Sequence, residues 1–408
     1  MDLDIDESGL KYSGGGAQRT CSVEDTLARV GPLCGAFGIT RVANVTGLDR
    51  VGIPVALAVR PNAKSVSVSQ GKGATYAHAK ASAMMEAIEI WHAENIDKPV
   101  YYGRRRALQK SWRVVDTNRL PQNPDAEFDD RTPALWIEGR ELFSGEPTLV
   151  PYEMIHADYT RPIQPAHGYF HASTNGLASG NSALEAIFHA AAEVIERDAL
   201  SLWHFTDEAR RSQRRIDPRT VADDECRSLL ERIDDAGLVC GLWDITSDIG
   251  LPTVLCILHD ADANSPHIGL GSGCHAISSV ALRRAITEAA QTRLNYISGA
   301  RDDLELEEYG AQSLDQKRGF AEQALAESAC PHDFADVPTR VFKSVKDDVE
   351  LALSSLKAVG IDEAVWVDLS KEEHGVHVAR LVIPGLEAPH DDDNYVAGPR
   401  AVKVRDHG

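Results

Sequence analysis

Three segments of this chain share one pattern, a Gly-rich stretch followed by an Ala-rich stretch with spaced glutamates. They are SQGKGATYAHAKASAMMEAIEIWHAE (69–94), TNGLASGNSALEAIFHAAAEVIERDA (174–199) and GLGSGCHAISSVALRRAITEAAQTRL (269–294). Each predicts a Gly-rich turn that leads into a helix, with Glu-x-x-Glu or Glu-x-x-Gln late in that helix. The recurrence indicates an internal structural repeat.

The glutamates of the first segment predict a working face on its helix. At about 100° per residue, Ser82, Glu86 and Glu89 lie within roughly 60° of arc. Like charges at this spacing weaken a helix slightly unless a cation joins them. Hard divalent cations prefer oxygen ligands, so Mg²⁺ is the natural guest. Mg²⁺ would bring a polyphosphate, and the Gly-rich turns offer backbone N–H groups for phosphate oxygens.

The second segment repeats this arrangement. Asn181, Glu185 and Glu196 lie within roughly 60° of arc, and Glu193 lies about 60° beyond them. Plainer explanations stay open. Glutamates three residues apart are common on a solvated helix face, the ERDA stretch could form an internal ion pair, and the glycines could serve ordinary turns.

Charge and cysteine content narrow the classes of function. The 408 residues carry 62 acidic and 42 basic side chains, a net charge of −20, which disfavours binding to nucleic acid or to an anionic membrane. The seven cysteines include no CxxC pair, as is typical of a reduced cytosolic protein. The N-terminus is acidic and no apolar run approaches about 18 residues, so we predict a cytoplasmic protein without a signal peptide or transmembrane helix.

Hydrophobic periodicity predicts a mixed α/β chain without a linker that divides it. Residues 1–18 are acidic and Gly-rich, and we expect them to be flexible. Residues 19–386 alternate helical and strand-like patterns, including a hairpin around Ser144-Gly145 and buried strands at LVCGLWDI and PTVLCILHD. Residues 387–408 show no periodicity, and we expect a loose or partner-contacting tail. GxxxxGK[ST], GxGxxG, HExxH and GxSxG do not occur in a convincing form.

The three segments resemble the glutamate motifs of the YcaO family. GKGAT…ASAMMEAIE is similar to the first motif, NGLASGNSALEAIFHAAAEVIERDA to the second and most specific one, and ITEAAQTRL followed by GARDD to the third. The resemblance spans roughly residues 19–303, with the motifs in the right order and spacing. It implies a single YcaO domain over residues 19–386 with a YcaO-type α/β (α+β) fold, in which mixed β-sheets pack with Ala-rich helices around an ATP cleft.

The resemblance also implies a chemistry. Family members use ATP and Mg²⁺ to phosphorylate the oxygen of a peptide backbone amide, which converts a poor leaving group into a good one. A nucleophile then attacks the activated carbon, and phosphate leaves. A Cys, Ser or Thr side chain gives an azoline, sulfide gives a thioamide and an amine gives an amidine.

Individual residues take roles by the same resemblance. The expected Mg²⁺ and phosphate-shell carboxylates are Glu86, Glu89, Glu185, Glu193, Glu196 and Glu288. The expected ATP contacts are Arg19, Thr26, Ser82, Glu86, Asn181, Arg197, Gln291 and Arg293. Glu193, Glu196 and Arg197 are the expected catalytic residues. For Arg19 a flexible position, and for Thr26 a capping or packing role in the first helix, stay open as alternatives.

Two departures from the family pattern bear on the reaction. The first motif usually continues with Arg after Glu89, where this chain has Ile90. The chain ends in VAGPRAVKVRDHG, whereas many azoline-forming members end in PxPxP. AIEIWHAEN, with TGLDRVGIPV upstream, is most similar to the YcaO branch that is paired with TfuA proteins. We therefore expect thioamide formation with a TfuA-type partner first, and azoline formation second.

The expected partners are proteins and peptides. No E1-like or leader-binding domain is recognisable in the sequence, so we expect a separate TfuA-like or E1-like partner to recognise a precursor peptide or protein. A homodimer in a ribosomal peptide pathway is the expected assembly. Two other functions stay open, a non-catalytic ATP-binding scaffold and a small-molecule ligase that acts on a free amide. The complete second motif argues against the scaffold.

Overall fold

The chain folds into two compact units, each assembled from stretches that are distant in sequence. In the computed structural model, the described residues are 9–12, 18–162, 165–260, 268–304, 306–326, 329–391 and 395–407. Unit 1 comprises Met1–Cys21, Ile88–Thr206 and Phe342–Gly408, and unit 2 comprises Ser22–Ala87 and Asp207–Val341. Most of the segment 1–18, for which we predicted flexibility, lies outside the described residues.

Helices and strands are interspersed along the chain, in agreement with the predicted α/β class. The strands are β1 (Arg41–Asn44), β2 (Val55–Val59), β3 (Val68–Lys72), β4 (Val100–Arg104), β5 (Arg113–Val114), β6 (Pro133–Glu141), β7 (Pro147–Pro151), β8 (Leu177–Gly180), β9 (Val239–Asp244), β10 (Thr253–His259), β11 (Gly269–Cys274), β12 (Val365–Asp368) and β13 (His377–Val382). The α-helices are α1 (Val23–Val30), α2 (Tyr76–Glu94), α3 (Arg105–Leu108), α4 (Ala183–His204), α5 (Glu208–Gln213), α6 (Asp224–Asp235), α7 (Ser278–Ser298), α8 (Ala311–Leu325), α9 (Val345–Ala358) and α10 (Pro399–His407). Among the described residues, no helix is both long enough and apolar enough to span a membrane.

Unit 1 is built on a seven-stranded sheet. Its strand order is β5-β7-β6-β12-β13-β8, and β4 also pairs with β6. The described pairs are antiparallel except for β5 and β7. The predicted hairpin is confirmed, since β6 and β7 pair and Gly145 takes a positive φ of 77° in their turn. Helix α4 packs on β8 and β13, and α9 packs on α4.

Unit 2 contains two three-stranded antiparallel sheets, β1-β2-β3 and β9-β10-β11. The strands predicted at LVCGLWDI and PTVLCILHD are β9 and β10, and every residue of β10 is buried. Helix α7 packs on β10 and β11, so that Leu282 and Ile286 share one apolar core with Val254 and Leu258. The core covers one face of β10, and the residues of its other face are buried as well, which explains the continuous apolar run of the strand.

The Gly-rich stretches of the repeat lie mainly in strands, whereas we predicted turns; a turn does occur at Gly176, which takes a positive φ of 79° before β8. The strands are β3, β8 and β11, which precede α2, α4 and α7. A Cβ atom on Gly71 would stand 2.0 Å from the backbone nitrogen of Ala83 in α2. On Gly271 it would stand 2.2 Å from the nitrogen of Ala289 in α7, and Gly180 meets the backbone of α4 in the same way. Only glycine lets a strand lie this close to a helix, so the repeat is a strand–helix unit.

Among the described residues, the end of the chain forms a docked helix, which argues against the loose form of the predicted tail and leaves the partner-contacting form a prediction. Pro399–His407 form α10, and Arg400 donates through Nε and Nη2 to the two carboxylate oxygens of Asp198 on α4, both at 2.9 Å. The carboxylate of Glu387 accepts from the backbone nitrogens of Gly398 and Ala401 at 2.8 and 2.9 Å. The ion pair that docks this helix could not be predicted from the sequence, because its two residues are 202 positions apart.

Candidate active site

The second glutamate segment forms a polar cluster at the beginning of α4 in unit 1. Glu185 is only 2% exposed, and its carboxylate accepts from the backbone and side-chain nitrogens of Asn181 at 3.0 and 3.1 Å. Thr20, which sequence reasoning missed, donates its hydroxyl to the same carboxylate at 2.6 Å, and Arg19 Nη1 lies 3.5 Å away. The structure therefore brings Arg19, Asn181 and Glu185 together.

Two details refine the prediction for this cluster. Asn181 precedes α4, because the helix begins at Ala183 with Ser182 as its cap, so the helical-arc argument does not apply to Asn181. Burial raises the pKa of Glu185, but Arg19 and the hydrogen bonds from Thr20 outweigh burial and bring the pKa below its ordinary value. Glu185 is thus held as a carboxylate in a buried place.

Further along α4, Glu193 and Glu196 form a second acidic group. The backbone nitrogen of Gly176 donates to Glu193 at 3.3 Å, and Glu196 is buried. Burial raises the pKa of Glu193, the positive charge of Arg197 opposes this rise, and the neighbouring Glu196 adds to it. A nearby cation would therefore favour the ionised form of Glu193, and this requirement suits a metal ion or a phosphate-binding arginine.

A buried arginine on β13 belongs to this acidic group, although sequence reasoning missed it. Arg380 is 3% exposed and donates to the carbonyl oxygens of Met154 and Ser173 at 2.8 and 2.6 Å. Burial lowers the pKa of Arg380, while the charges of Glu193 and Glu89 oppose that shift. Arg380 is thus a buried cation whose charge interacts with glutamates from the first two motifs. It lies outside the three motif segments, so no local signal marked it.

The first and third segments meet at β3 in unit 2. Ser82 and Glu86 lie half-buried on α2, and the backbone nitrogen of Gln70 donates to Glu86 at 3.4 Å. Gln291 of α7 donates through Nε2 to the carbonyl oxygen of Gln70 at 3.1 Å. One residue of β3 therefore connects a predicted carboxylate ligand on α2 with a predicted nucleotide contact on α7.

Glu288, the third-motif glutamate, forms an ion pair in the same region of unit 2. Its carboxylate contacts the ammonium of Lys72 at the end of β3, and each side chain is 20% exposed. Lys72 lies between the two glycines of the GKG pattern, and we predicted no role for it from the sequence. The ion pair is not evident in the sequence, because β3 and α7 are far apart along the chain.

Two predicted ATP contacts are engaged inside the fold. Arg293 is buried and donates through Nε and Nη2 to the carboxylate of Asp49 at 2.9 and 3.2 Å. Thr26 is also buried, and its hydroxyl donates to the carbonyl oxygen of Ser22 at 3.1 Å. The contacts of Thr26 match the packing role that the sequence left open. For Arg293, a buried bidentate ion pair argues against the predicted nucleotide contact.

The donor set suits Mg²⁺ that is shared with phosphate oxygens. The predicted ligands in unit 1 and in unit 2 are all carboxylates, and burial raises the pKa of Glu193, which disfavours its negative charge in the absence of a cation. No group of three His, Cys, Asp or Glu among the described residues is arranged to hold a metal by itself. Mg²⁺ commonly takes only one or two carboxylates and completes its shell with phosphates and water, so these residues fit it.

Comparison with known proteins identifies the family. The family model described as YcaO cyclodehydratase, ATP- and Mg²⁺-binding, matches residues 70–387. The chain belongs to the YcaO family. ATP and Mg²⁺ are therefore its cofactors, as the motifs predicted. A relative named "Uncharacterized protein in tfuA 3'region", from Rhizobium leguminosarum bv. trifolii, is 34% identical over 99% of this chain and 97% of its own length. Another, from Methanothermobacter thermautotrophicus, is 35% identical over 89% of this chain and 93% of its own length.

Solved structures confirm the YcaO fold. A YcaO from Methanopyrus kandleri, bound with AMPPCP and Mg²⁺, has a TM-score of 0.75 at 21% identity and covers 96% of this chain and 98% of its own. A heterocyclase in complex with substrate and cofactor has a TM-score of 0.80 at 19% identity over 97% of this chain. This chain spans 55% of the heterocyclase, so the likeness concerns the shared fold.

Proposed function

We propose that this protein uses ATP and Mg²⁺ to convert a backbone amide of a peptide into a thioamide, with a TfuA-type partner as the source of sulfur. The observation that carries the proposal is the arrangement along α4. One helix presents Glu185 with Asn181 and Arg19 at its beginning, and Glu193 with Glu196 further along. Carboxylates for a cation and an arginine for phosphate are the parts that phosphoryl transfer needs.

The reaction balances with the peptide amide, ATP and sulfide as its only reagents. The amide oxygen attacks the γ-phosphorus of ATP, the bond to the β-phosphate oxygen breaks, and ADP leaves. Sulfide then adds to the activated carbon, the carbon–oxygen bond breaks, and phosphate carries the oxygen away. Loss of one proton restores a neutral thioamide. Most of the catalytic work is therefore positioning and neutralisation of charge on the transferring phosphoryl group.

The chain's own residues take distinct parts in this proposal. The nucleotide is oriented by Arg19, Asn181 and Arg197. Glu185 holds Arg19 and Asn181 in place, since its carboxylate contacts both. The carboxylates that would hold Mg²⁺ are Glu86, Glu89, Glu185, Glu193, Glu196 and Glu288. Mg²⁺, when bound, neutralises charge on the phosphate oxygens. Arg380 is the buried cation whose charge would help to keep Glu193 and Glu89 ionised.

The choice of sulfide as nucleophile rests on the Rhizobium relative, whose name places it next to tfuA. The second candidate is azoline formation from a Cys, Ser or Thr side chain, which is favoured by the fold shared with the heterocyclase. The two chemistries have the same activation step and differ in what attacks the carbon. We propose that the protein acts as a cytoplasmic homodimer on a ribosomally made precursor peptide or protein.

Mass spectrometry of the peptide distinguishes the two candidates. The purified protein is incubated with ATP, Mg²⁺, sulfide, the TfuA-type partner and a candidate peptide. A thioamide raises the peptide mass by the difference between sulfur and oxygen, whereas an azoline lowers it by one water. An unchanged peptide, together with ATP hydrolysis that does not respond to peptide, would contradict the proposed function.

Glu196→Gln tests whether the acidic group on α4 performs the chemistry. The substitution keeps the size of a buried side chain but removes its charge. We expect at least about a hundredfold loss of peptide modification, since a charge-stabilising contact in the transition state is lost. Glu322→Gln, on an exposed position of α8, is the matched control and should retain full activity. Full activity in Glu196→Gln would refute the role of this carboxylate group.

A further inference from the structure

In unit 2, Lys72 forms an ion pair with Glu288. Glu288 lies on α7 and is one of the proposed Mg²⁺ ligands, whereas Lys72 has no role in the proposed site so far. The two charged groups are in contact, and each side chain is 20% exposed. Water can therefore reach both groups, and a small cation could approach the carboxylate without unfolding its surroundings.

The backbone around Lys72 is held in place. A Cβ atom on Gly71 would stand 2.0 Å from the backbone nitrogen of Ala83, and one on Gly73 would stand 2.4 Å from Cβ of His78. The strand on either side of Lys72 is thus pressed against α2. The lysine side chain, by contrast, is a flexible four-carbon stem with a point charge at its end. The ammonium can leave Glu288 by rotation of this stem while the strand stays where it is.

The neighbours of Lys72 on β3 already touch the proposed site. Gln70, two residues earlier, donates its backbone N–H to Glu86 at 3.4 Å and accepts from Gln291 at 3.1 Å. Lys72 lies on the same short strand, and its ammonium contacts Glu288, which is itself one of the residues proposed for Mg²⁺.

We propose that Lys72 is an exchangeable counter-ion of Glu288, which a divalent cation must displace before it can bind this carboxylate. The inference rests on the proposed function, because that function makes Glu288 a metal ligand. Displacement frees an ammonium next to the incoming polyphosphate, which supplies it with a new anionic partner. Metal and nucleotide then favour each other's binding, because each removes a cost that the other would pay alone.

A permanent structural ion pair is the competing explanation, and it makes the opposite prediction. If Lys72 only holds β3 to α7, its loss leaves Glu288 less well positioned, and metal binding weakens or stays the same. If Lys72 competes with the metal, its loss removes a competitor and a positive charge from the site, and metal binding tightens. The sign of the change separates the two explanations.

The test is Mn²⁺ binding to the full chain without nucleotide or peptide, measured by electron paramagnetic resonance of the free ion. We expect Lys72→Met to bind Mn²⁺ about fivefold more tightly than the unaltered protein, which is the upper range for a partly exposed ion pair. Lys72→Arg keeps the charge and should bind Mn²⁺ no more tightly than the unaltered protein. Lys357→Met, at an exposed lysine of α9, is the matched control and should leave the affinity unchanged.

A second background assigns the effect to Glu288. In Glu288→Gln the substitution of Lys72 should no longer change the Mn²⁺ affinity, since the carboxylate for which the two cations compete is gone. Thermal unfolding of each variant shows that it is folded. An affinity in Lys72→Met that is unchanged, weaker or unmeasurable overturns the inference, as does an equal gain in the Glu288→Gln background.

The outcome is separable from the test of the proposed function. Tighter Mn²⁺ binding in Lys72→Met with no modified peptide would contradict the proposed reaction alone. Modified peptide with an unaltered Mn²⁺ affinity in Lys72→Met would overturn the role of Lys72 alone.

Discussion

The ion pair that docks the C-terminal helix on α4 gives a quantitative prediction. Asp198 is fully buried, and it accepts two hydrogen bonds from Arg400 and one, at 3.0 Å, from the backbone nitrogen of Glu387. Arg400→Met keeps much of the apolar stem but leaves this carboxylate without its cation. Removing one partner of a buried ion pair typically costs about 3–5 kcal/mol, so we expect the free energy of unfolding to fall by about 3 kcal/mol at pH 8.

The loss should depend on pH with a definite sign. Burial already raises the pKa of Asp198, and Arg400 opposes that rise. Without Arg400 the folded-state pKa lies further above the unfolded value, so the folded state takes up a proton more readily as the pH falls. The deficit is therefore largest at pH 8 and shrinks toward pH 5. Asp198→Asn combined with Arg400→Met should recover much of the lost stability, because no buried charge is left.

Urea unfolding followed by far-ultraviolet circular dichroism measures these differences. Arg405→Met is the control, since its exposed guanidinium pairs with the adjacent Asp406, and it should change stability by less than about 0.5 kcal/mol. A loss below about 1 kcal/mol in Arg400→Met, or one that is equal at pH 5 and pH 8, would refute the conclusion that this ion pair anchors the end of the chain.

Two further predictions concern packing and pH. Gly271→Ala would place Cβ 2.2 Å from the backbone of α7, and we expect it to lower the free energy of unfolding by about 3 kcal/mol, whereas Gly47→Ala, with no atom within 4 Å, should be nearly neutral in thermal unfolding. Burial lowers the pKa of His92 from 6.5 to about 4, so its contribution of about 3 kcal/mol is present above pH 6.5 and disappears as the pH falls toward 4. His92→Phe should flatten the acid limb of stability against pH, and an unchanged slope would contradict this assignment.

Local sequence patterns predicted some of the strands correctly. They failed at glycines, because a glycine can permit either a bend or the close packing of a strand against a helix. The apolar run that became β10 marks a strand because both faces of the strand are buried. The glycines of β3, β8 and β11 predicted turns, since the sequence alone does not distinguish a glycine that permits a bend from one that permits close packing. Their crowding against helix backbones became visible only when the strand and helix were placed together.

Some residues of the candidate site could be predicted from the sequence, and others could not. The motif glutamates could be named from spacing and family resemblance, because those residues follow one another on single helices. Lys72 and Thr20 could not, since each contacts its glutamate from a segment that is distant in the chain. Arg380 could not either, since it lies on a strand far from the motif segments. Arg293 shows the converse, since its motif position suggested a ligand and its ion pair with Asp49 gives it a packing role.

The strand order of unit 1 also determines when its sheet can form during synthesis of the chain. The strands β12 and β13 lie between β6 and β8 in the sheet, although they are the last to be synthesised. Among the described strands, β8 pairs with β13 alone, so its edge stays open until Phe342–Gly408 has left the ribosome. An open strand edge invites pairing with another chain. A message that ended before β12 would therefore yield an aggregation-prone fragment in place of a weakened enzyme.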